Sequence, residues 1–245
     1  MSPMRRLSFL AALAGLSIAA AVAAQAPSQT NQPAIPMREE GHHHLIFQNS
    51  YVNVFFVEIP PGESTLRHHH DLPYISIQPG GADAPAAPSG PPRIGYAAGN
   101  LTHAVTNSGK VVQRNIAVEL VRPQGTVRDR CAAILPDQAA QVCTEDPLGP
   151  LHPTKRTPLL ETDEILVESW ELAPAVSTPP LNDKLDMLIG GLNGVQVSGA
   201  AGLDSANALR GGILWVPAGS SPVFKTAADR GGRFIAISFK DSGKP

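Results

Sequence analysis

This 245-residue sequence has no CxxC pair, no basic stripe and no long apolar run after its first two dozen residues. Each absence removes a class of function. Cys131 and Cys143 are its only cysteines and no histidine lies close to them, so a thiolate-built zinc or redox centre is excluded. Charged residues make up 16% and the acidic ones outnumber the basic, which rules out a phosphate backbone as partner. Helix signals are few; "PDQAAQVC" (residues 136–143) is the one short stretch that reads as a turn of helix. What is abundant is proline (24) and glycine (22). They punctuate short runs of β-branched and aromatic residues, the composition of strands joined by many turns.

The single long apolar run is N-terminal. "MSPMRR" supplies a basic region, "LSFLAALAGLSIAAAVA" an apolar one, and Val22-Ala23-Ala24 a small-residue cleavage site, the pattern of an export signal over residues 1–24. The expected product is a periplasmic or extracellular protein with no membrane span after cleavage and a formal charge of −4, from 17 basic and 21 acidic side chains. In an oxidising compartment Cys131 and Cys143 are expected to pair. Closing so short a loop stabilises by about 3 kcal/mol on the chain-entropy model.

Residues 25–40 are polar and proline-bearing and read as a flexible lead-in. Strands follow: Leu45–Ile59, then "YISIQPG" from Tyr74, then "VVQRNIAVELV" from Val111. Between the last two, Pro79–Pro92 is a proline-rich surface loop, either a lid or a passive insertion. Shifting the sequence by 113 residues lays Glu58 on Glu171, Pro61 on Pro174, and Ser64-Thr65 on Ser177-Thr178. A duplicated β domain is the economical explanation. The expected organisation is a first barrel at 41–122, a linker at 123–158 and a second barrel at 159–245.

Seven of the eight histidines fall between residues 42 and 103. On a strand, His68 and His70 share one face and His69 takes the other. Two imidazoles so placed inside a barrel can close on one metal ion. The third ligand available in this half is His103, launched by a turn at Gly99-Asn100. His42, His43 and His44 precede the first expected strand and are read as solvated. Glu119 alternates onto the face opposite Ile116, Val118 and Leu120, which sets it aside as a ligand; Asp71 is read as a turn residue.

The spacing Gly62-x5-His68-x-His70-x3-Tyr74-x6-Gly81 resembles the first motif of the cupin superfamily, with Tyr74 in place of its glutamate. His103-x3-Asn107 resembles part of the second motif, with the glycine one residue early at Gly99 and Ala98 where proline belongs. The second copy keeps the spacing in Ala175, Leu181, Asp183, Met187 and Gly194, but none of the imidazoles; Pro222 stands where the last histidine would be. Trp215, Phe224 and Phe234 read as the core of that half. The resemblance implies an all-β chain of two tandem cupin-type antiparallel barrels, the second degenerate.

It further implies one divalent transition metal ion (zinc, iron, copper or nickel) on His68, His70 and His103. Tyr74 is either a packed core residue or a proton donor, and Ser76 and Gln78 alternate onto its face of the strand. The function implied is an exported metal-dependent oxygenase or lyase acting on a small polar molecule. The alternatives are a non-catalytic ligand- or metal-binding bicupin and a purely structural one. The protein is expected to act as a monomer or homo-oligomer.

Overall fold

The structure is a computed structural model that describes residues 33–78, 94–136, 153–181, 184–199 and 208–240. The signal segment, the whole Pro79–Pro92 loop, the 137–143 stretch with Cys143, and Asp183 lie outside the described residues. The first half comprises β1 (Ile35–Pro36), β2 (His43–Gln48), β3 (Val52–Ile59), β4 (His68–His70), β5 (Tyr74–Ile77), β6 (Ile94–Ala97), β7 (Leu101–His103) and β8 (Gln113–Leu120). Two short strands follow, β9 (Arg128–Asp129) and β10 (Ala133–Ile134). The second half comprises β11 (Thr154–Glu161), β12 (Ile165–Leu172), β13 (Met187–Asn193), β14 (Val195–Ser198), β15 (Leu214–Val216), β16 (Val223–Thr226) and β17 (Gly232–Phe239).

Each half has a six-stranded sheet and a smaller one. In the first these are β10-β6-β5-β8-β3-β2 and β1-β4-β7; in the second, β15-β13-β17-β12-β11-β9 and β14-β16. Among the described residues, hydrogen bonds do not join the two sheets of a half into one continuous ring, so the barrels are not closed. The segment between the halves is drawn into both: β9 pairs with β11 and β10 pairs with β6. Within the lead-in, Ile35 pairs in parallel with His68.

The copies agree in detail. β3 and β12 sit 113 residues apart. Thr65 Oγ1 accepts a hydrogen bond from Val105 N, and its counterpart Thr178 Oγ1 accepts one from Phe224 N. Gly62 takes φ +79°, and Ala175, at the matching place, is held at +59° despite its Cβ. β2 and β11 both carry a register shift, between Leu45 and Phe47 and between Pro158 and Leu160.

The two large sheets pack face to face through one apolar cluster. Val52, Val54, Phe56, Ile75, Ile77, Ile116, Val118 and Leu120 meet Leu160, Ile165, Val167, Leu188, Ile235 and Ile237. Trp215 belongs to this contact rather than to the interior of the second half: it stacks on Phe47 and lies beside Tyr51 and Phe239. The bulge in β2 makes this possible. It turns Phe47 toward the other half while His43, four residues earlier, faces the first interior.

The alternate residues of the same strands therefore line the interiors. In the second half these are Trp170, Met187 and Phe234, joined by Phe224 from β16 in a packed aromatic and aliphatic core. In the first they include histidines, Tyr74, Ser76 and Glu119. Because the shared cluster ties the halves together, Phe56→Ala is expected to cost about 3–5 kcal/mol. The denaturation midpoint read by tryptophan fluorescence should fall with it, although Trp170 and Trp215 both lie in the other half. An unchanged midpoint would contradict a shared core.

Candidate metal centre

β4 and β7 run antiparallel with His68 directly opposite His103, which puts both rings on one face. The turn before β7 is tight. Asn100 has φ +53°, and a Cβ on Gly99 (φ +94°) would lie 2.7 Å from Asp71 O, so glycine is required there. Asn107 anchors the far end, donating from Nδ2 to Ile59 O and Val111 O. His69 points the other way, with Nδ1 at 2.6 Å from Thr102 Oγ1 and Nε2 at 3.1 Å from Asp71 Oδ1.

Four imidazoles converge. Ring centroids of His68 and His103 are 4.6 Å apart, His68 and His70 5.0 Å, and His70 and His103 5.1 Å. The fourth ring is His43, 4.6 Å from His68 and 6.2 Å from His70. One ligand nitrogen from each of His43, His68 and His70 lies within 4.8 Å of the others. The reading of the early histidines as solvated needs correction at His43. The 3-10 turn at Met37–Glu39 and strand β2 carry it inside, leaving its side chain 5% exposed, while His42 and His44 stay nearer solvent.

The hydrogen bonds fix how two rings present themselves. His68 Nδ1 lies 2.8 Å from Leu66 O. A carbonyl can only accept, so Nδ1 carries the proton and Nε2 keeps its lone pair. That Nε2 is buried with no partner, as is Nδ1 of His70. His43 Nδ1 lies 2.6 Å from Glu40 Oε2, which likewise leaves Nε2 as the lone-pair nitrogen. His70 Nε2 and His103 Nε2 are 3.2 Å apart. Two nitrogens bound about 2.1 Å from one ion at tetrahedral or square angles are separated by about 3.0–3.4 Å. The unpartnered lone pair of His68 Nε2 and this spacing fit a metal ion on imidazoles.

Burial keeps the rings uncharged. Desolvation, with repulsion from neighbouring imidazoles, pushes His70 down to about 2 and His103 to about 4, and burial lowers His68 and His43 as well. Glu40 behaves oppositely. Burial opposes its charge, but hydrogen bonds from His42, His43 and the Leu66 amide outweigh that and hold it at about 2.

Tyr74 stacks on His70 with centroids 4.1 Å apart, and burial pushes its phenol up to about 12. Ser76 Oγ and the Asn115 side chain are hydrogen-bonded (3.2 and 3.0 Å), and Gln78 is exposed just past the end of β5. Glu119 does face away from Ile116, Val118 and Leu120, but that apolar face is the contact between halves. Its own face is the interior. Glu119 lies directly across from Tyr74, is 5% exposed, accepts a hydrogen bond from Asn53 Nδ2 (3.0 Å), and burial raises its pKa. Strand alternation alone could have placed it there, had the interface face been known.

No family model and no curated protein matches the sequence. Solved structures do match in fold. The putative glyoxylate-induced protein from Pseudomonas aeruginosa has TM-score 0.53 at 10% identity, over 83% of this chain and 82% of its own. A single-residue variant of salicylate 1,2-dioxygenase from Pseudoaminobacter salicylatoxidans, in complex with gentisate, has TM-score 0.52 at 11% identity, over 84% and 76%. AerE from Microcystis aeruginosa has TM-score 0.50 at 11% identity, over 82% and 98%.

The buried rings make the metal-free protein acid-sensitive. Unfolded imidazoles take up protons below pH 6.5, whereas His103 waits until about 4 and His70 until about 2. The unfolded state thus binds more protons across that window, so stability present above pH 6.5 is lost as pH falls. The slope is about 1.4 kcal/mol per pH unit for each such ring as an upper bound. Glu40 adds a loss only below pH 4.5. Urea midpoints of metal-free protein should fall from pH 7 to 4.5, and a His70→Gln, His103→Gln double variant should flatten the fall. A flat wild-type profile would contradict the burial of neutral rings.

Proposed function

With a cupin-type fold as the premise, we propose that this chain is an exported metal-dependent oxygenase that acts on a small polar molecule in its first half. The observation that carries the reading is the convergence of buried, uncharged imidazoles on one point, with His68 Nε2 left as an unpartnered lone pair. His68 and His70 hold the ion together with His103, whose Nε2 is 3.2 Å from His70 Nε2, and with His43, whose ring is the one grouped with His68 and His70 within 4.8 Å. An imidazole set suits zinc, iron, copper or nickel. When bound, such an ion supplies Lewis acidity and open positions for substrate and dioxygen.

The side chains do the rest. Lowered pKa values keep the four rings neutral at neutral pH, each with one nitrogen lone pair, so a cation meets little competition from a second proton. Tyr74, pushed up to about 12, keeps its proton and serves as a hydrogen-bond donor behind His70 rather than as a base. Glu119, across from Tyr74, is the carboxyl placed to exchange a proton in this interior. A non-catalytic metal-binding protein is the second reading. The observation in its favour is the fourth imidazole, since each added ligand takes a position that substrate would need. Hydroxybenzoates are the first substrates to try, because the structural relative solved with gentisate is a dioxygenase.

One metal ion per chain is expected in protein purified without an affinity tag. His68→Ala and His103→Ala should each remove stoichiometric metal, while Met187, Leu181 and Pro222 in the second half supply no replacement ligand. Oxygen uptake with a hydroxy acid separates an enzyme from a metal-binding protein. Tyr74→Phe should keep the metal and lose turnover. Metal retained after His68, His70 and His103 are all replaced would sink the assignment.

We also propose that Cys131 pairs with Cys143 in the exported protein. Cys131 is buried in the shared cluster beside Ala132 and Leu159, a place where a staple would fasten the connecting segment. Alkylation and mass spectrometry of protein from its native compartment should find no free thiol. Two alkylated cysteines would reject the pair.

A further inference from the structure

Glu40 is a buried carboxylate that no motif predicts. Its residue is 2% exposed, and it stands just after the 3-10 turn that leads into β2. Four groups donate to it. His42 N (2.9 Å) and His43 Nδ1 (2.6 Å) reach Oε2; His42 Nδ1 (2.9 Å) and Leu66 N (3.1 Å) reach Oε1. Two of these are backbone amides from separate segments, so the carboxylate is fixed in place and in turn fixes His43.

The consequence lies on the other side of the ring. A carboxylate accepts and cannot donate, so it selects the tautomer with hydrogen on Nδ1 and leaves the lone pair on Nε2. The ring it orients is the one whose centroid is 4.6 Å from His68. A second strand of the same support runs through Leu66. Its N–H is held by Glu40, and its carbonyl accepts from His68 Nδ1 at 2.8 Å. One residue, Leu66, thus holds the carboxylate and the His68 ring in one local frame, while His43 is held by the carboxylate directly.

We propose that Glu40 is a positioning residue for a metal centre that includes His43: it sets the ring angle and tautomer that make His43 a ligand, and it raises the donor strength of that imidazole. This rests on the metal reading of the first half. Carboxylate–imidazole pairs of this kind tune metal affinity by about 10–100-fold. They also guard against the alternative tautomer, which would aim an N–H at the ion.

Zinc affinity, measured by competition with a chromophoric chelator, is the test. Glu40→Gln keeps the size of the side chain and removes the charge. It is expected to weaken zinc binding by about 10–100-fold, and to alter the visible spectrum of the cobalt-substituted protein. In a His43→Ala background the same substitution should change affinity by less than about threefold, because residues acting through one another are not additive. An undiminished loss in that background would show that Glu40 acts through the fold, and overturn the proposal. So would unchanged affinity in the single variant.

Wild-type protein that binds no zinc would sink the metal reading itself, a result distinct from both. If Glu40→Gln does not fold, nitrogen NMR of the metal-free wild type decides instead. His43 protonated on Nδ1 agrees with the proposal, and His43 protonated on Nε2 overturns it.

Discussion

The face-to-face contact between the two large sheets is the constraint from which the rest follows. Strand side chains alternate, so giving one face of β3, β5 and β8 to the other half commits the opposite face to the interior. Most of the apolar residues went to the contact: Val52, Val54, Phe56, Ile75, Ile77, Ile116, Val118 and Leu120, while Phe55, Val57, Ile59 and Ala117 form a smaller cluster on the interior face. This relieves the first interior of having to supply the main core, and it can hold imidazoles, a phenol and a carboxyl. Burying such groups is costly unless each finds a partner. The hydrogen bonds of Glu40, Asn53 and Leu66 satisfy part of that requirement, and the lone pair left on His68 Nε2 lies in a group of imidazoles where a cation would satisfy it.

The comparison between copies separates frame from chemistry. Both keep the threonine that accepts from the facing strand, the left-handed residue after β3 or β12, and the register shift in the strand before it. These features set where strands begin and how they bend, and they survive in both. The interior side chains do not. Tyr74, stacked on His70 in the first half, is matched by Met187 in the second, whose interior is filled by Phe224 stacked on Phe234 beside Trp170. Filling the interior with aromatic rings restores a conventional core, which is the packing a barrel adopts when no polar site has to be kept.

The site itself is assembled from segments that lie far apart in sequence: the stretch before β2, the short strands β4 and β7, and the interior face of β5 and β8. Lowered imidazole pKa values and a strongly acidic Glu40 have a common origin in this assembly. The rings are crowded and desolvated, which removes their charge. The carboxylate is equally buried but surrounded by donors, which preserves its own.

Much was legible in the sequence. Turn residues and β-branched runs marked the strands, a shift of 113 residues exposed the duplication, and period-two alternation placed His68 and His70 together with His69 apart. A glycine-led turn pointed to His103. These are local signals, carried by residues near one another in the chain. What the sequence left undecided depends on which face of a sheet is covered and by what. Alternation puts Glu119 on the correct side of β8 but leaves its environment open, because an apolar face can be a barrel interior or a contact between sheets and alternation does not distinguish them. Trp215 was placed in the wrong core for the same reason. His43 was missed because a bulge in β2 and the pairing of Ile35 with His68 bring an early segment into the barrel. Periodicity sorts residues by face; only tertiary packing decides what each face meets.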